Sequence, residues 1–224
     1  MSPEDHRTEP PVEPAAFWED RYRSTRGEHG RVWSGRVNEA VEREISGIPS
    51  GTALELGCGE GGDALWLAGR GWQVTAIDIS ATALAVGAAE AERTGLADRI
   101  QWIRADLSTW QPSGEFDLVT SAFLHSPVDL PREEVLRRAA TAVAPGGRLL
   151  VVGHGETPPG SKLGRHLHEG PPLPSSDDVL ASLHLADDWT IETNAHVERP
   201  GVWRDGSTVT LVDSVVRARR GAAE

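Results

Sequence analysis

Residues 54–62 read Leu-Glu-Leu-Gly-Cys-Gly-Glu-Gly-Gly, and this stretch decides the fold. It ends a short apolar run that begins at Thr52, and it precedes a segment, 63–68, with the character of a helix start. Glycines at a strand-to-helix turn permit positive φ and let a ligand approach the backbone closely. Residues 57–62, called the glycine loop below, match the pattern GxGxxG and therefore predict a nucleoside ligand.

Strands and helices alternate on the carboxyl-terminal side of the glycine loop. The pattern predicts strands at 72–77, 100–104, 116–120 and 148–153, and helices at 81–93, with Ser80 as N-cap, and from Pro131 to about Val143. Strands that alternate with helices imply βαβ units and a parallel sheet. The β-rich segments 189–197 and 208–217 have no helix between them, so we expect an antiparallel hairpin there.

Charge distinguishes between the possible nucleosides. Asp78 ends the predicted second strand 21 residues after Gly57, where a carboxylate commonly accepts hydrogen bonds from ribose hydroxyls. Glu55, Glu60 and Asp63 surround the glycine loop, and no Lys or Arg occurs between 55 and 69. Two like charges about 4 Å apart repel by roughly 1–4 kcal/mol. A pyrophosphate is therefore disfavoured, whereas S-adenosylmethionine, which carries an ammonium and a sulfonium but no phosphate, is favoured.

Five motifs in order resemble those of the class I S-adenosylmethionine-dependent methyltransferases. They are Leu54 to Gly61, Asp78-Ile79-Ser80, Arg104-Ala-Asp106-Leu107, Phe116 to Ala122, and Ala144 to Leu150. The resemblance covers about residues 15–217. It implies an α/β fold with a Rossmann-like, doubly wound, seven-stranded sheet whose last strand is antiparallel. It also implies S-adenosyl-L-methionine as cofactor, S-adenosyl-L-homocysteine as its product, and these cofactor-binding residues: Trp33, Glu55, Gly57, Cys58, Gly59, Gly61, Asp78, Ile79, Asp106, Leu107 and Ser121.

Residues 17–22 and 32–35 are similar to the N-terminal cap of the small-molecule branch, which includes thiopurine and tellurite-resistance methyltransferases. This resemblance implies that Trp33 covers the cofactor or acceptor pocket, with Arg21 and Tyr22 near the methionine carboxylate. We expect residues 1–14 to be disordered. A single domain, 15–220, would then carry the cap at 15–48 and a substrate loop at 155–180, with loops expected at 15–36 and 155–180.

Two histidines follow predicted strands. His125 comes after the fourth strand and His154 after the fifth, where ligands bind in open α/β sheets. Either is a candidate general base, an effect worth roughly 10²–10⁴-fold, and the alternative is a structural or solvated histidine. Cys58 is expected to contribute backbone contacts, because no histidine or basic residue accompanies it. Glu55 either pairs with an N-terminal basic residue or hydrogen-bonds near the cofactor ammonium.

The composition excludes several classes of partner. The 224 residues include 22 Lys and Arg against 34 Asp and Glu, a net charge of −12, which disfavours nucleic acid and anionic membranes. One cysteine excludes an intramolecular disulfide and a Cys-rich zinc site. His166 and His168 have no further ligand beyond Glu169 nearby, so we predict no metal. No secretory signal is visible in the sequence, so we expect a cytoplasmic protein.

Together these features predict an enzyme that methylates a small-molecule thiol, hydroxyl or amine by in-line displacement. Two alternatives remain open at this stage. A NAD(P)-dependent oxidoreductase fits GxGxxG and Asp78 but leaves the acidic loop unexplained. A non-catalytic S-adenosylmethionine-binding relative would hold the cofactor without turning it over.

Overall fold

The computed structural model describes residues 13–24, 30–155, 173–202 and 208–222. The helices are α1 Pro14–Ser24, α2 Glu39–Ile45, α3 Gly62–Gly69, α4 Ala81–Thr94, α5 Arg132–Ala140 and α6 Ser176–Leu183, with a 3₁₀ turn at Ala97–Arg99. The strands are β1 Thr52–Leu56, β2 Gln73–Asp78, β3 Ile100–Arg104, β4 Phe116–Ala122, β5 Val143–His154, β6 Trp189–Val202 and β7 Thr208–Arg220.

The strands form one sheet in the order β3-β2-β1-β4-β5-β7-β6. Strands β1 to β5 are parallel to one another, and β7 runs antiparallel to both β5 and β6. The predicted fold, a doubly wound seven-stranded sheet with the last strand antiparallel, is therefore confirmed. The chain winds outward in opposite directions from β1 and β4, so the carboxyl ends of these two strands frame the crevice where open α/β sheets bind ligands.

The sheet is covered on both faces. Leu118 and Leu150 belong to one apolar cluster, which includes Trp72, whereas their neighbours Val119 and Leu149 belong to the cluster on the opposite face. Strands buried on both faces read as continuous apolar runs rather than as alternating ones, which is why 148–153 shows little alternation. In the described part of the chain, no helix has the length and hydropathy needed to cross a membrane.

Local signals in the sequence fix several element ends. Ser80 is the N-cap of α4, as predicted, and its hydroxyl accepts a hydrogen bond from Ala83 N. The antiparallel pairing of β6 and β7 is also confirmed, and it is longer than predicted. Strand β5 ends with His154 opposite Asp213, but the hairpin continues for five more pairs, from Glu198 opposite Val212 to Val202 opposite Thr208. The hairpin therefore extends past the carboxyl edge of the sheet.

The predicted loop at 15–36 is wrong in its first part. Residues 14–24 form α1, which packs against α4. Within the helix, Trp18 and Tyr22 are one turn apart and contact each other in a tilted arrangement, with ring centroids 6.2 Å apart. Helix α6 likewise occupies the end of the region expected to be a loop, and the Ser175 capping box starts it. The expectations for residues 1–12, for 156–172, and for His166 and His168 lie outside the described residues.

The helix predicted to run to Val143 is also shorter than expected. It ends at Ala140, because Val143 already pairs with Phe116 of β4 and the backbone enters the sheet there. The segment Pro145 to Gly147, predicted to terminate the helix, lies instead within β5, where the pairing with β4 shifts register before Arg148.

Candidate functional site

The glycine loop adopts a backbone that only glycine accepts easily. Gly57, Gly59 and Gly61 have φ of 68°, 53° and 77°. A Cβ on Gly59 would lie 2.9 Å from the Tyr22 hydroxyl, and one on Gly61 would overlap the Trp102 ring. The loop is therefore packed from below by Trp102 and approached by the cap from above.

Asp78 holds the glycine loop to the end of β2. Its side chain is 7% exposed, and its two carboxylate oxygens accept hydrogen bonds from Gly59 N at 2.8 Å and Ser80 N at 2.9 Å. Burial raises the pKa of Asp78, and the backbone hydrogen bonds oppose that rise. The following residue, Ile79, is partly buried, and its carbonyl accepts from Arg104 Nε at 3.2 Å.

Glu55 is a buried carboxyl group beside the glycine loop. It is 4% exposed, and its Oε2 atom has no hydrogen-bond partner among the described residues. Burial, reinforced by Asp63 and Asp78, raises the pKa of Glu55 well above the ordinary value. Among the described residues no basic side chain forms an ion pair with Glu55, and the basic residues at positions 6, 7 and 26 lie outside the described residues.

Cys58 is a buried residue of the glycine loop with little nucleophilic character. Burial, and next the nearby Glu55 carboxyl, raise the pKa of the Cys58 thiol well above its ordinary value. The backbone N–H of Cys58 donates to Ile77 O at 2.9 Å, so the residue contributes to the loop through its main chain.

Two acidic residues of the glycine-loop region anchor the cap, which the sequence did not indicate. The Glu60 carboxylate accepts from Val32 N at 2.9 Å and from Trp33 N at 2.9 Å. Asp63 accepts from Asn38 N at 2.7 Å, and burial raises the pKa of Asp63 to about 6. These acids therefore compensate backbone N–H groups of the cap, in addition to setting the sign of the local charge.

Helix α1 spans the carboxyl edge of the sheet. At one side the Glu19 carboxylate accepts from Ser80 Oγ at 2.8 Å and from Thr82 Oγ1 at 2.5 Å, at the start of α4. On the other side Trp18 Nε1 donates to Ser126 Oγ at 3.2 Å, in the connection between β4 and α5. The helix thus links the two halves of the crevice.

Trp33 and Tyr22 form a pair over the glycine loop. Trp33 Nε1 donates to the Tyr22 hydroxyl at 3.0 Å, and the indole lies near Gly59 although it is 51% exposed. Burial raises the pKa of Tyr22, and the nearby Asp78 carboxylate adds to the effect. Arg21 is partly buried on the same helix.

The remaining predicted cofactor residues lie just after β3 or near the end of β4. Asp106 is exposed, and its carboxylate accepts from Ser108 N at 2.8 Å, whereas Leu107 is buried. Ser121, near the end of β4, is buried, and neither its hydroxyl nor that of Thr120 has a hydrogen-bond partner in the described structure.

The structure brings His125 and His154 together at the carboxyl ends of β4 and β5. Their rings stack with centroids 5.5 Å apart, and His125 Nε2 accepts a hydrogen bond from His154 N at 3.3 Å. The Phe123 ring lies 4.5 Å from the His154 ring. Phe123 has φ of 53°, a strained conformation for a residue other than glycine, and such strain clusters at functional sites.

Three charged residues complete this imidazole cluster, which consists of Phe123, His125, Arg132, His154, Arg199 and Asp213. Arg199 Nε pairs with Asp213 Oδ2 at 2.7 Å, and the Arg199 guanidinium lies 5.8 Å from the centre of the Phe123 ring. Asp213 is only 1% exposed, and its second oxygen has no partner among the described residues. Sequence reasoning missed Arg132, Arg199 and Asp213, because they are far apart in the chain. The packing of α5 against β5 and the pairing of β5, β7 and β6 bring them together.

The cluster holds both histidines in their neutral form. Burial, with Arg132 and His154 adding to it, lowers the pKa of His125 to about 4. Burial also lowers the pKa of His154, where Asp213 opposes the decrease and Arg199 adds to it. In the described residues no group of three or more His, Cys, Asp or Glu side chains is placed to hold a metal ion.

Parts of the chain are similar to known proteins. Residues 53–147 match the family model described as "Methyltransferase domain". The chain is 35% identical over 138 residues to ribosomal RNA small subunit methyltransferase C of Alcanivorax borkumensis, covering 58% of this chain and 41% of that protein. It is 34% identical over 116 residues to ubiquinone biosynthesis O-methyltransferase of Pseudomonas paraeruginosa, covering 52% and 49%. The chain therefore spans half or less of the length of these curated relatives.

Solved structures match nearly the whole chain. One, described as "Conversion of a Disulfide Bond into a Thioacetal Group during Echinomycin Biosynthesis", has a TM-score of 0.66 and 26% identity, covering 94% of this chain and 92% of that one. N-methyltransferase NodS of Bradyrhizobium japonicum, in complex with S-adenosyl-L-homocysteine, has a TM-score of 0.65 and 19% identity, covering 93% and 99%. The sheet, the glycine loop and these matches identify residues 53–147 as a methyltransferase domain of the class I type, whose cofactor is S-adenosylmethionine.

Proposed function

We propose that this protein is an enzyme that transfers the methyl group of S-adenosylmethionine to a small molecule with a thiol, hydroxyl or amine acceptor. The observation that carries the proposal is the acidic surroundings of the glycine loop, where the buried Glu55 Oε2 of β1 has no described partner. A buried polar atom without a partner is costly unless a ligand satisfies it. An ammonium group satisfies a carboxylate oxygen, whereas a pyrophosphate would be repelled by it.

The residues around the crevice fit this cofactor. We propose that Asp78 binds the ribose hydroxyls and Glu55 the ammonium group, while the loop backbone approaches the methionine portion. The adenine would lie against Ile79, Asp106, Leu107 and Ser121, and Trp33 would cover the cofactor. Backbone contacts would come from Gly57, Cys58, Gly59 and Gly61. When bound, the cofactor supplies a methyl group that its sulfonium already activates for displacement. The protein therefore contributes alignment and exclusion of water.

Of the two histidines, His154 is the better general base. The Nε2 lone pair of His125 already accepts from His154 N, and the pKa of His125 falls to about 4, so it is a weak proton acceptor at neutral pH. Asp213 raises the pKa of His154 against the effect of burial, and would stabilise the imidazolium once a hydroxyl acceptor has lost its proton to the ring. An acidic thiol needs no such base.

The charge of the chain favours a small acceptor over RNA. One curated relative is named as a ribosomal RNA methyltransferase and another as a ubiquinone biosynthesis O-methyltransferase. A net charge of −12 repels the phosphate backbone that supplies most of the affinity for RNA. Helix α1 and the β6–β7 hairpin also flank the imidazole cluster, which supports a confined site rather than an open basic surface.

Calorimetry on the purified chain tests the cofactor. We expect saturable binding of S-adenosylhomocysteine and no heat from NADH or from a short RNA hairpin. The same protein with S-adenosylmethionine should release S-adenosylhomocysteine when given thiols, phenols or amines. Absence of S-adenosylhomocysteine binding would overturn the proposal. Tight binding with no turnover on any of the three acceptor classes would identify a non-catalytic relative instead.

A histidine variant tests the base. We expect His154→Asn to lower kcat on a phenol acceptor about 100-fold, in the range of general base effects, and to leave the Kd for S-adenosylhomocysteine unchanged. The matched control is His184→Asn, because His184 is exposed at the end of α6 in a left-handed conformation that asparagine tolerates. Equal kcat values for the two variants would remove His154 from the mechanism.

A further inference from the structure

Arg132 is a cation in the imidazole cluster that forms no ion pair within the part of the chain that the structure describes. It begins α5, and its Nη2 atom lies 3.6 Å from the position that a Cβ on Gly153 would occupy, near the end of β5. The same position lies 3.1 Å from His125 Nε2, so the guanidinium and the imidazole share this point of the carboxyl edge. Arg132 Nε is buried and has no hydrogen-bond partner in the described structure.

The other two arginines of α5 are satisfied by the protein. Arg137 donates to Ser182 O at 3.1 Å and lies 3.8 Å from Glu133, and Arg138 donates to Leu107 O and pairs with Glu134 at 3.6 Å. Arg132 forms no ion pair with a described residue, although it is packed more deeply than a surface arginine. This difference between arginines of one helix indicates that the Arg132 guanidinium interacts with a group outside the described residues.

The surroundings of Arg132 leave a net positive charge. Burial lowers the pKa of Arg132, and the neighbouring Glu133, which opposes the decrease, is exposed. His125 and His154 are neutral at physiological pH because the pKa of each is lowered. The cluster's other cation, Arg199, is already paired with Asp213. An unpaired, partly buried charge destabilises a protein unless a ligand of opposite sign compensates it.

We infer that Arg132 binds an oxyanion on the methyl acceptor, a carboxylate or a phosphate, so that the acceptor is an acidic small molecule. The His125 ring lies beside the guanidinium, and the His154 and Phe123 rings continue from it along the same edge. This row of aromatic rings suits a planar acceptor. A guanidinium binds a carboxylate or phosphate through two parallel hydrogen bonds, so it fixes orientation as well as charge. The inference rests on the proposed function, because it takes the ligand of this edge to be the acceptor.

Benzoate is the probe, with benzamide as its uncharged counterpart. Both are titrated calorimetrically into the protein alone and into the protein saturated with S-adenosylhomocysteine. We expect benzoate to bind the wild-type chain at least about tenfold more tightly than the Arg132→Gln variant, the size of effect expected for a charged hydrogen bond. Arg132→Lys should retain part of that affinity. The control Arg137→Gln on the same helix should bind benzoate as the wild type does.

Two further measurements separate binding from a structural role. Benzoate should shift the Arg132 Nε–H resonance of the wild-type protein in an NMR titration to about 100 mM, where even a Kd far above 1 mM is detected. Without an anion, Arg132→Gln should have a Tm equal to or above that of the wild type, because it removes an unpaired charge.

Three results would overturn the inference: equal benzoate affinity in wild type and Arg132→Gln, no shift of the Nε–H resonance, or a lower Tm for Arg132→Gln in the absence of an anion. The NMR titration uses the wild-type chain and so does not depend on the folding of a variant. Loss of S-adenosylhomocysteine binding in the wild type would instead overturn the proposed function, whatever benzoate does.

Discussion

The two halves of the crevice differ in how their polar groups are satisfied. Around the glycine loop, the carboxylates of Asp78, Glu60 and Asp63 each accept hydrogen bonds from backbone N–H groups. At the carboxyl ends of β4 and β5, polar side chains lack partners. Five buried side-chain atoms lack a hydrogen bond in the described structure. Glu55 Oε2 is beside the loop, the Thr120 and Ser121 hydroxyls are on β4, and Arg132 Nε and Asp213 Oδ1 belong to the imidazole cluster.

This difference corresponds to two kinds of recognition. A site that is built from backbone groups and short-range contacts is preorganised for one ligand, which suits a cofactor. In a site built from unpartnered side chains, a few side chains determine which ligand binds. Such a site suits an acceptor that varies among related enzymes. In the proposed function, the loop half is therefore the cofactor site and the imidazole cluster is the acceptor site.

Removing the Asp78 carboxylate should have the largest effect, and only on the cofactor half. We expect Asp78→Ala to weaken S-adenosylhomocysteine binding at least about 100-fold, because two charge-assisted hydrogen bonds to the ribose and the anchoring of Gly59 are lost together. Calorimetry measures the Kd, with Asp98→Ala, an exposed residue of the 3₁₀ turn, as control. An affinity within about threefold of the wild type would mean that the cofactor half is not organised around Asp78.

A glycine-to-alanine substitution in each half of the crevice should lower Tm by different amounts. Gly61→Ala places a Cβ in the Trp102 ring at φ of 77°, so we expect Tm to fall by about 10 °C. Gly153→Ala meets only the ends of the His125 and Arg132 side chains, which can move, so we expect a loss of about 3 °C or less.

Gly114→Ala controls for backbone strain alone, because Gly114 has φ of 97° and open space around it. Thermal denaturation followed by circular dichroism measures all three variants. If Gly61→Ala and Gly114→Ala lose the same Tm, packing against Trp102 contributes nothing, and the contrast between the two halves would be lost.

A smaller, pH-dependent effect should come from Asp63. Its pKa is about 6 in the folded chain and 3.8 in the reference state, so between these pH values the folded chain binds more protons than the unfolded one. The free energy of unfolding associated with Asp63 therefore falls as the pH rises through this window. Asp63→Asn keeps an oxygen for Asn38 N without the charge, so at pH 8 it should raise Tm by about 5 °C.

The difference in Tm between Asp63→Asn and the wild type should disappear well below pH 3.8, where the carboxyl is protonated in both states. The exposed Asp129→Asn serves as the control at each pH. A constant difference across the whole pH range, or a lower Tm at pH 8, would show that Asp63 stabilises the cap as a carboxylate.

The parts of the molecule that could be predicted from sequence are those with short-range signals. The apolar run before Gly57 and the N-cap Ser80 each lie within a few residues of what they determine, and β1 and α4 formed as expected. The neighbouring β-rich segments that became β6 and β7 also paired as expected. The end of α5 was predicted incorrectly, because a long-range strand pair, Phe116 with Val143, overrides the local helix signal.

The parts that could not be predicted depend on tertiary contacts. Glu60 and Asp63 are recognisable as acids near a loop, but their bonds to Val32, Trp33 and Asn38 join residues at least 25 positions apart. Arg132 has one weak signal, a cation at the first position of a helix, where the macrodipole favours acids. Nothing in the sequence indicates that Arg199 and Asp213 join it, since that depends on the register of β7 against β5.

One chain of hydrogen bonds connects helix α1 to Asp78. Glu19 accepts from the Ser80 hydroxyl, which also caps α4, while Ser80 N and Gly59 N both donate to Asp78. Coupling of this kind is reciprocal. A ligand that stabilises Asp78 also stabilises the packing of α1 by the same free energy, and displacement of α1 weakens ligand binding by that free energy. If Asp78 binds the cofactor as proposed, we expect a fusion partner or a shortened N-terminus that displaces α1 to change the affinity for the cofactor.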